Sequence, residues 1–365
     1  MIHLKKLSLT QLFNLIILTQ VGVSILSIPF EESKHSGYDS WLSICLGGVI
    51  SQGIIMIMYC LSTRYADRAL PQYMTSIVGK IMGSILNILI GLYCAESSLM
   101  VFVSYSDVLS RWVLIRTPWF VLVGISIGIA AYIASSSLRS IAVITQSIMV
   151  MFFIATFIIF ISGLGKGDVR HFFPIGSHGI GAIMRDALPA FWAYAGYELL
   201  LVVFPTLSYR KKKDVFLVMT AANGFTTLFY MLITLIVTFN FSENQLKVIS
   251  EPMVFILRQF KWPVVQSLDI VFMTIWLSVT TVTAYVYLFL AARYLSFSFG
   301  KERGNHAVIV WILAILCFGL GVFGSDRQVL FQFSSYHNFA TIAVIAIIPL
   351  LLLLISITRG KVGAR

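Results

Sequence analysis

Ten long apolar windows without a lysine or arginine constrain this chain more than any other feature of its sequence. A helix needs about 20 apolar residues to cross the hydrocarbon layer of a membrane. Three of the windows are read through a carboxylate, at Glu96, Glu198 or Asp269. The pattern predicts an all-α integral membrane protein with about ten transmembrane helices. The windows are residues 7–30, 40–63, 81–109, 118–138, 140–165, 187–205, 215–242, 264–292, 304–325 and 328–358.

The low charge content leads to the same conclusion. Only 11% of the residues are charged, whereas a soluble domain carries about 25%, so most of the surface cannot face water. The longest connections, 164–186 and 243–263, have room for small surface helices and for no domain. We therefore expect residues 1–365 to form a single transmembrane bundle. The first window continues to Pro29 without a cleavage site, which favours a transmembrane helix over a signal peptide.

The orientation follows from the excess of basic residues on cytoplasmic loops. If the chain starts in the cytoplasm, 16 of the 26 lysines and arginines fall on cytoplasmic loops and 10 on the outer side. An even number of helices then places both termini in the cytoplasm. The cytoplasmic set is Lys5, Lys6, Arg64, Arg68, Lys80, Arg139, Arg210, Lys211, Lys212, Lys213, Arg293, Lys301, Arg303, Arg359, Lys361 and Arg365.

This asymmetry explains most of the net charge of +11, so the expected partner is the lipid bilayer and not a nucleic acid. The four cysteines lie in apolar windows, where they serve as packing residues. None of the six histidines is expected in mid-membrane, where an intramembrane enzyme would need a base. We therefore expect no enzymatic activity, no metal and no cofactor.

The first and sixth windows are predicted to be broken helices. Backbone inside a membrane must satisfy its own hydrogen bonds, so a break is tolerated where it lines a cavity. In the first window Gly22 frees the backbone, Ser24 can bond to nearby peptide groups, and Gln20 adds an amide. The sixth window has small residues followed by a carboxylate, at Ala195, Gly196 and Glu198.

These two windows hold matching positions in a chain of five plus five helices. Such a pair points to an inverted-repeat transporter fold with a binding site at the membrane midplane. The first repeat then covers about 7–163 and the second about 187–358. The N–H groups of the half-helices would face an anion such as a substrate carboxylate. The alternative is that Gly22 and Gly196 only allow close packing between helices.

Several short motifs occur in a fixed order along the chain. They are Gly22 to Pro29, Asp39-Ser40-Trp41, Arg116-Thr117-Pro118, Phe173-Pro174, Gly196-Tyr197-Glu198, Pro205, Lys211 to Lys213, and Trp276. In this order they resemble the B subunits of bacterial spore germinant receptors, a spore germination permease family of the amino acid–polyamine–organocation transporter superfamily. The resemblance covers the whole chain. It departs at Ser24, where the family often has glycine.

The resemblance implies a LeuT-like fold and a nutrient sensor in the inner membrane of a dormant spore. It implies a small amino acid or similar nutrient as ligand, bound between helices one, three, six and eight. It also implies two partners, a receptor A subunit and a C lipoprotein. The candidate ligand-binding residues are Gln20, Gly22, Ser24, Glu96, Ser97, Ala195, Gly196, Glu198, Thr280 and Thr283.

Three functions are compatible with these residues: a ligand sensor, an amino acid permease driven by H⁺ or Na⁺, and a structural subunit that binds nothing. Gln20, Ser278 and Thr281 can offer oxygen ligands to Na⁺, whereas the absence of a basic residue from 140–165 favours the sensor. Glu198 has three possible roles: to bind a ligand ammonium group, to carry a coupling proton, or to brace the broken helix through hydrogen bonds.

The predicted orientation can be tested by labelling. In sealed right-side-out vesicles of a variant without native cysteines, we expect an impermeant thiol reagent to label Ser177→Cys and not Ala364→Cys, because only the first faces outward. Labelling of Ala364→Cys before the vesicles are opened would contradict the orientation.

Overall fold

The structure, a computed structural model, describes residues 6–165, 167–260, 267–298, 306–323 and 327–359. Within these ranges the chain is helical, with one isolated backbone bridge between Leu7 and Leu207. Some residues used for the predicted orientation lie outside the described residues: Lys5, Lys301, Arg303, Lys361, Ala364 and Arg365.

Fifteen α-helices make up most of the described chain. They are α1 (Leu9–Gln20), α2 (Ser40–Arg64), α3 (Leu70–Val78), α4 (Lys80–Trp112), α5 (Trp119–Ala134), α6 (Leu138–Gly163), α7 (Gly179–Ala193), α8 (Leu200–Val203), α9 (Lys212–Asn240), α10 (Glu243–Leu246), α11 (Pro252–Gln259), α12 (Leu268–Ser298), α13 (His306–Val322), α14 (Arg327–Thr341) and α15 (Ile348–Thr358). Two 3₁₀ turns, Val23–Leu26 and Tyr197–Leu199, follow α1 and α7, and a π-helical segment, Ile342–Ile347, joins α14 to α15.

Six helical stretches in the described ranges are long and apolar enough to cross a membrane: α2, α4, α6, α9, α12 and Gln332–Thr358. The pair Gly179–Ala193 and Tyr197–Thr206, bent by 50°, adds a broken span. Three shorter apolar helices, α1, α5 and α13, complete the bundle. These segments correspond one to one with the ten windows of the sequence.

Local sequence sets several of the helix ends. Ser8 and Gln11 form a capping box at the start of α1, in which each side chain accepts a hydrogen bond from the other residue's backbone N–H. The Ser137 side chain accepts from the N–H of Ser140 at the start of α6. Pro118 directly precedes α5, where its missing N–H costs no helical hydrogen bond.

The short helix α3 is not among the predicted windows. Its apolar residues Leu70, Tyr73, Met74 and Ile77 are buried, and it packs against α4 and α15. Its nine residues are too few to span a membrane, which is why a search for long apolar windows misses it. The helix of the sixth window starts earlier than predicted. It begins at Gly179 rather than near residue 187, and it includes Arg185 and Asp186.

Helix α12 lies at the centre of the bundle. It runs along α4 and also contacts α1, α5, α6 and α13, and most of its side chains are buried.

Glycines let neighbouring helices approach closely. A Cβ atom on Gly47 of α2 would lie 2.9 Å from the Ala190 Cβ and 3.0 Å from the Phe191 nitrogen on α7. The packing of α2 on α7 therefore depends on Gly47.

A matched pair of substitutions on α2 tests this contact. We expect Gly47→Ala to lower the free energy of unfolding by about 1–3 kcal/mol, because the added methyl group overpacks the interface. Gly53→Ala is the control, since no atom lies within 4 Å of a Cβ at that position. The measurement is thermal denaturation of the purified variants in detergent, and equal midpoints for both would contradict the proposed packing.

Candidate functional site at the two helix breaks

The first helix breaks where its sequence predicts. α1 ends at Gln20, and the backbone resumes as the turn Val23–Leu26. The last carbonyl groups of an interrupted helix have no N–H partner farther along the chain. Side chains of α9 and α12 supply donors: Tyr230 Oη to Gln20 O (2.9 Å), Trp276 Nε1 to Gly22 O (3.2 Å), and Thr283 Oγ1 to Leu18 O (3.2 Å) and Thr19 O (3.1 Å).

The second break follows α7. Gly196 has φ = +131°, a conformation that side chains with a Cβ rarely adopt, so glycine is required here. The freed carbonyl groups again receive side-chain donors. Tyr230 Oη lies 3.1 Å from the oxygen of Ala193, and Gln20 Nε2 donates to the oxygen of Tyr194 at 2.9 Å.

The two breaks are in direct contact with each other. Gln20 belongs to the first break and donates to the second, while its Oε1 accepts from Thr226 Oγ1 at 2.9 Å. A Cβ atom on Gly196 would lie 3.0 Å from the backbone nitrogen of Gln20. Tyr230 bridges the oxygens of Gln20 and Ala193. A displacement of one break must therefore change hydrogen bonds at the other.

Glu198 is buried beside the second break. Its Oε2 accepts from the backbone N–H of Gly196 at 2.7 Å, and its Oε1 accepts from the Tyr287 hydroxyl of α12 at 2.5 Å. The carboxylate therefore joins the unwound segment to α12. Of the three roles that the sequence left open for Glu198, this geometry matches the one in which it braces the broken helix through hydrogen bonds.

A cavity of about 540 Å³ lies between the broken segments and α4, α12 and α14. Tyr287 forms part of its wall in front of Glu198. Six of the ten candidate residues line the cavity: Gln20, Gly22, Ser24, Ser97, Ala195 and Thr283. The other four lie outside the lining. They are Glu96, Gly196, Glu198 and Thr280.

Glu96 lies behind the cavity wall, paired with a histidine. His337 Nδ1 is 2.5 Å from Glu96 Oε2, and the His337 ring stacks on Tyr93. His337 itself lines the cavity. The packing of α14 against α4 brings His337 beside Glu96.

Other lining residues were not candidates from sequence. They include Trp192, Tyr287 and His337, and toward one end Phe30, Glu31 and Glu32. Trp192 could have been chosen as a candidate from the sequence, because it is an aromatic residue in the segment predicted to break. Tyr287 and His337 have no local signal, because only the packing of α12 and α14 against α4 brings them to the cavity. Thr280 is buried on α12, and its hydroxyl group makes no hydrogen bond in the described part of the chain.

The cavity reaches toward the end of the bundle that holds Glu31, Asp107 and Glu251. There Arg111 on α4 binds Asp107 Oδ2 at 2.6 Å and Glu251 Oε1 at 2.8 Å, which ties α4 to the start of α11. The opposite end is closed by backbone hydrogen bonds, from Leu7 N to Thr206 O (2.9 Å) and from Ser208 N to Leu7 O (2.8 Å).

The family assignment rests on comparison of the whole sequence with known proteins. A family model described as spore germination protein matches residues 6–322, which is most of the chain. This chain belongs to that family. The predicted relationship to the spore germination permeases is therefore confirmed, and the protein is a multi-pass membrane protein of this family.

Several curated spore germination proteins are similar to this family member. Spore germination protein GerQB of Bacillus cereus is 25% identical over 72% of this chain and 72% of its own length. Spore germination protein A2 of Bacillus subtilis is 20% identical over 97% of this chain and 96% of its own length. Spore germination protein YndE of the same organism is 22% identical over 81% of this chain and 82% of its own.

A solved structure shows the fold. The manganese transporter of Eremococcus coleocola, in complex with an aromatic bis-isothiourea substituted compound, superposes with a TM-score of 0.59 at 13% sequence identity. The match covers 94% of this chain and 76% of the transporter chain. The predicted fold class, a helical membrane protein of the transporter type with broken first and sixth helices, is confirmed.

Substitutions at Glu198 distinguish a brace from other roles. We expect Glu198→Ala to accumulate poorly, because the loss of both acceptors leaves the Gly196 N–H and the Tyr287 hydroxyl unpaired, at about 1–3 kcal/mol each. Glu198→Gln should remain stable, since its amide oxygen can accept from Gly196 while its NH₂ donates to Tyr287. Tyr287→Phe, which removes a single partner, is the intermediate control. Thermal midpoints in detergent measure the series, and a stable Glu198→Ala would contradict the brace.

Proposed function

We propose that this protein is the nutrient-sensing subunit of a spore germination receptor. The single observation that carries the proposal is the cavity between two helix breaks that share hydrogen bonds. Its volume lies in the range of small-molecule sites, and its wall combines apolar side chains with hydroxyl and amide groups. A small amino acid or similar nutrient fits this chemistry.

The coupling between the breaks supports a signalling role. A ligand that contacts Gln20 and Ala195 touches both unwound segments, which Gln20 and Tyr230 hold together. A ligand shifts a conformational equilibrium only through contacts that differ between the two states. Contacts to both breaks supply such a difference, because any change of cavity shape must rearrange these shared hydrogen bonds.

The receptor context completes the proposal. The ligand enters from the outer side of the spore inner membrane, both termini lie in the cytoplasm, and the signal passes to a receptor A subunit and a C lipoprotein. The backbone bridge that joins Leu7 to Leu207 lies at the end that carries Lys6 and the run Arg210 to Lys213. Opening of this bridge is the movement that a partner on the cytoplasmic side would detect.

Binding and uptake assays in proteoliposomes test this function. With a pool of labelled amino acids, a sensor binds ligand and accumulates none, whereas a permease driven by H⁺ or Na⁺ accumulates label under the matching ion gradient. A subunit that neither binds nor accumulates any of them would contradict the proposal.

A substitution at Gly22 places the binding at the cavity. A Cβ atom there would lie 2.8 Å from Thr283 Oγ1, the group that holds the end of α1. We expect Gly22→Leu to weaken binding of the labelled amino acids at least about 10-fold, or about 1.4 kcal/mol, while the protein still accumulates. Gly224→Leu on α9 is the control, since no atom lies within 4 Å of its Cβ. Unchanged binding by a stable Gly22→Leu variant would exclude this cavity.

A further inference from the structure

The ionisable side chains that line the cavity are unbalanced in charge. Four carboxylates and one histidine line it in the described part of the chain, and no lysine or arginine does; the residues are Glu31, Glu32, Asp107, Glu251 and His337. Arg111 pairs with the carboxylates of Asp107 and Glu251 at the mouth. Lys34 pairs with Glu31. Glu32 has no such basic partner among the described residues.

Two of the four carboxylates are buried, Glu32 at 6% and Glu251 at 7% exposed, but only Glu251 is paired with an arginine. Glu32 is buried although it lies in the connection between α1 and α2. In the described part of the chain no other residue donates a hydrogen bond to its carboxyl group. Its side chain lines the same cavity as Gln20, which links the two breaks.

The groups around Glu32 offset the cost of its burial only in part. Asp186 of α7 accepts hydrogen bonds from the backbone N–H groups of His35 and Ser36, and its second oxygen binds the His35 ring. Burial is the main reason why the pKa of Glu32 is raised to about 8. A hydrogen bond from its own backbone N–H and the charge of Lys34 act against this rise, whereas the negative charges of Glu31 and Asp186 add to it. A carboxyl group with a pKa raised in this way lowers the folding stability as the pH rises from 4.5 to about 8, because the unfolded chain ionises first.

We propose that Glu32 is the recognition group for a positively charged nitrogen, so that this cavity selects ligands that carry an ammonium group. The inference rests on the proposed function and adds the residue that recognises the ligand's ammonium group. An ammonium group has three N–H donors and no acceptor, and a carboxylate accepts them in charge-assisted hydrogen bonds. The cavity is too large, and its lining too rich in apolar residues such as Leu26, Val101 and Val108, to suit a bare inorganic cation.

Binding then has a defined proton balance. Below about pH 8 the Glu32 carboxyl group is mostly protonated. When the ammonium group binds, the carboxyl group loses its proton to solvent and the ion pair replaces the neutral acid. Affinity for ammonium ligands should therefore rise with pH up to about 8 and then stay level until the ligand's own ammonium group loses its proton.

The electrostatic potential inside the cavity can be measured without knowledge of the natural ligand. Ser104 on α4 lines the cavity, so Ser104→Cys in a full-length variant without Cys45, Cys60, Cys94 and Cys317 provides a reactive group there. The probes are a trimethylammonium-ethyl and a sulfonatoethyl methanethiosulfonate, which differ in charge. Their rate ratio cancels the fraction of ionised thiol, because both reagents attack the same thiolate.

We expect the cation-to-anion rate ratio at Ser104→Cys to rise between pH 6.5 and pH 9, as Glu32 ionises. Glu32→Gln should remove this rise and lower the ratio at pH 9 about 10-fold or more, since it deletes a charge in a poorly screened cavity. Asp168→Asn is the control. Hydrogen bonds from Arg170 lower the pKa of this exposed outer carboxylate to about 2, so it is ionised at both pH values and lies outside the cavity.

A protection assay then separates organic ammonium groups from inorganic ions. Propylammonium should slow modification of Ser104→Cys, and it should do so less in the Glu32→Gln variant, whereas equal concentrations of propanol or potassium chloride should not. Protection by propanol equal to that by propylammonium, or protection that Glu32→Gln leaves unchanged, would overturn the role of Glu32.

The outcomes also separate this inference from the proposed function. A parent protein whose rate ratio does not change with pH would overturn the role of Glu32 even if the Glu32→Gln variant failed to fold, and the sensor function would stand. A cysteine at position 104 that neither reagent modifies would show that the cavity is closed to the outside, which would overturn both proposals.

Discussion

The fold of this protein depends on one constraint: peptide groups inside a membrane must find hydrogen-bond partners in the protein. Two interrupted helices place unpaired carbonyl groups in the middle of the bundle. The donors are side chains from helices that are distant in sequence. They belong to Tyr230, Trp276, Thr283 and Gln20. The breaks are therefore possible only when α1, α7, α9 and α12 are assembled together.

The same hydrogen bonds link the two breaks to each other. Gln20 and Tyr230 contact both segments, so a change at one break also alters the other. The cavity reaches toward the end with Asp107, Arg111 and Glu251, while the bridge from Leu7 to Leu207 closes the other end.

Sequence patterns succeeded where one local property decides the outcome. Apolar length located the spans, because only a helix satisfies its own backbone in lipid. Gly22 and Gly196 located the breaks, and Gly196 does adopt a glycine-only conformation. Patterns are silent where packing decides: α3 is too short to be seen as a window, Glu96 pairs with His337, and Thr280 lies outside the cavity lining. No local pattern marks Glu32, since the sequence cannot show that the side chain is buried in the cavity wall.

The sequence by itself determined the membrane setting, the family, the position of both breaks and six of the residues around the cavity. These features follow from composition, from spacing and from motifs that are continuous along the chain. Tertiary structure alone decided that Gln20 links the two breaks, that Glu198 binds Gly196 and Tyr287, and that Glu32 and His337 line one cavity. The physical reason is that hydrogen bonding and burial depend on distances between helices, which are fixed only when the helices pack.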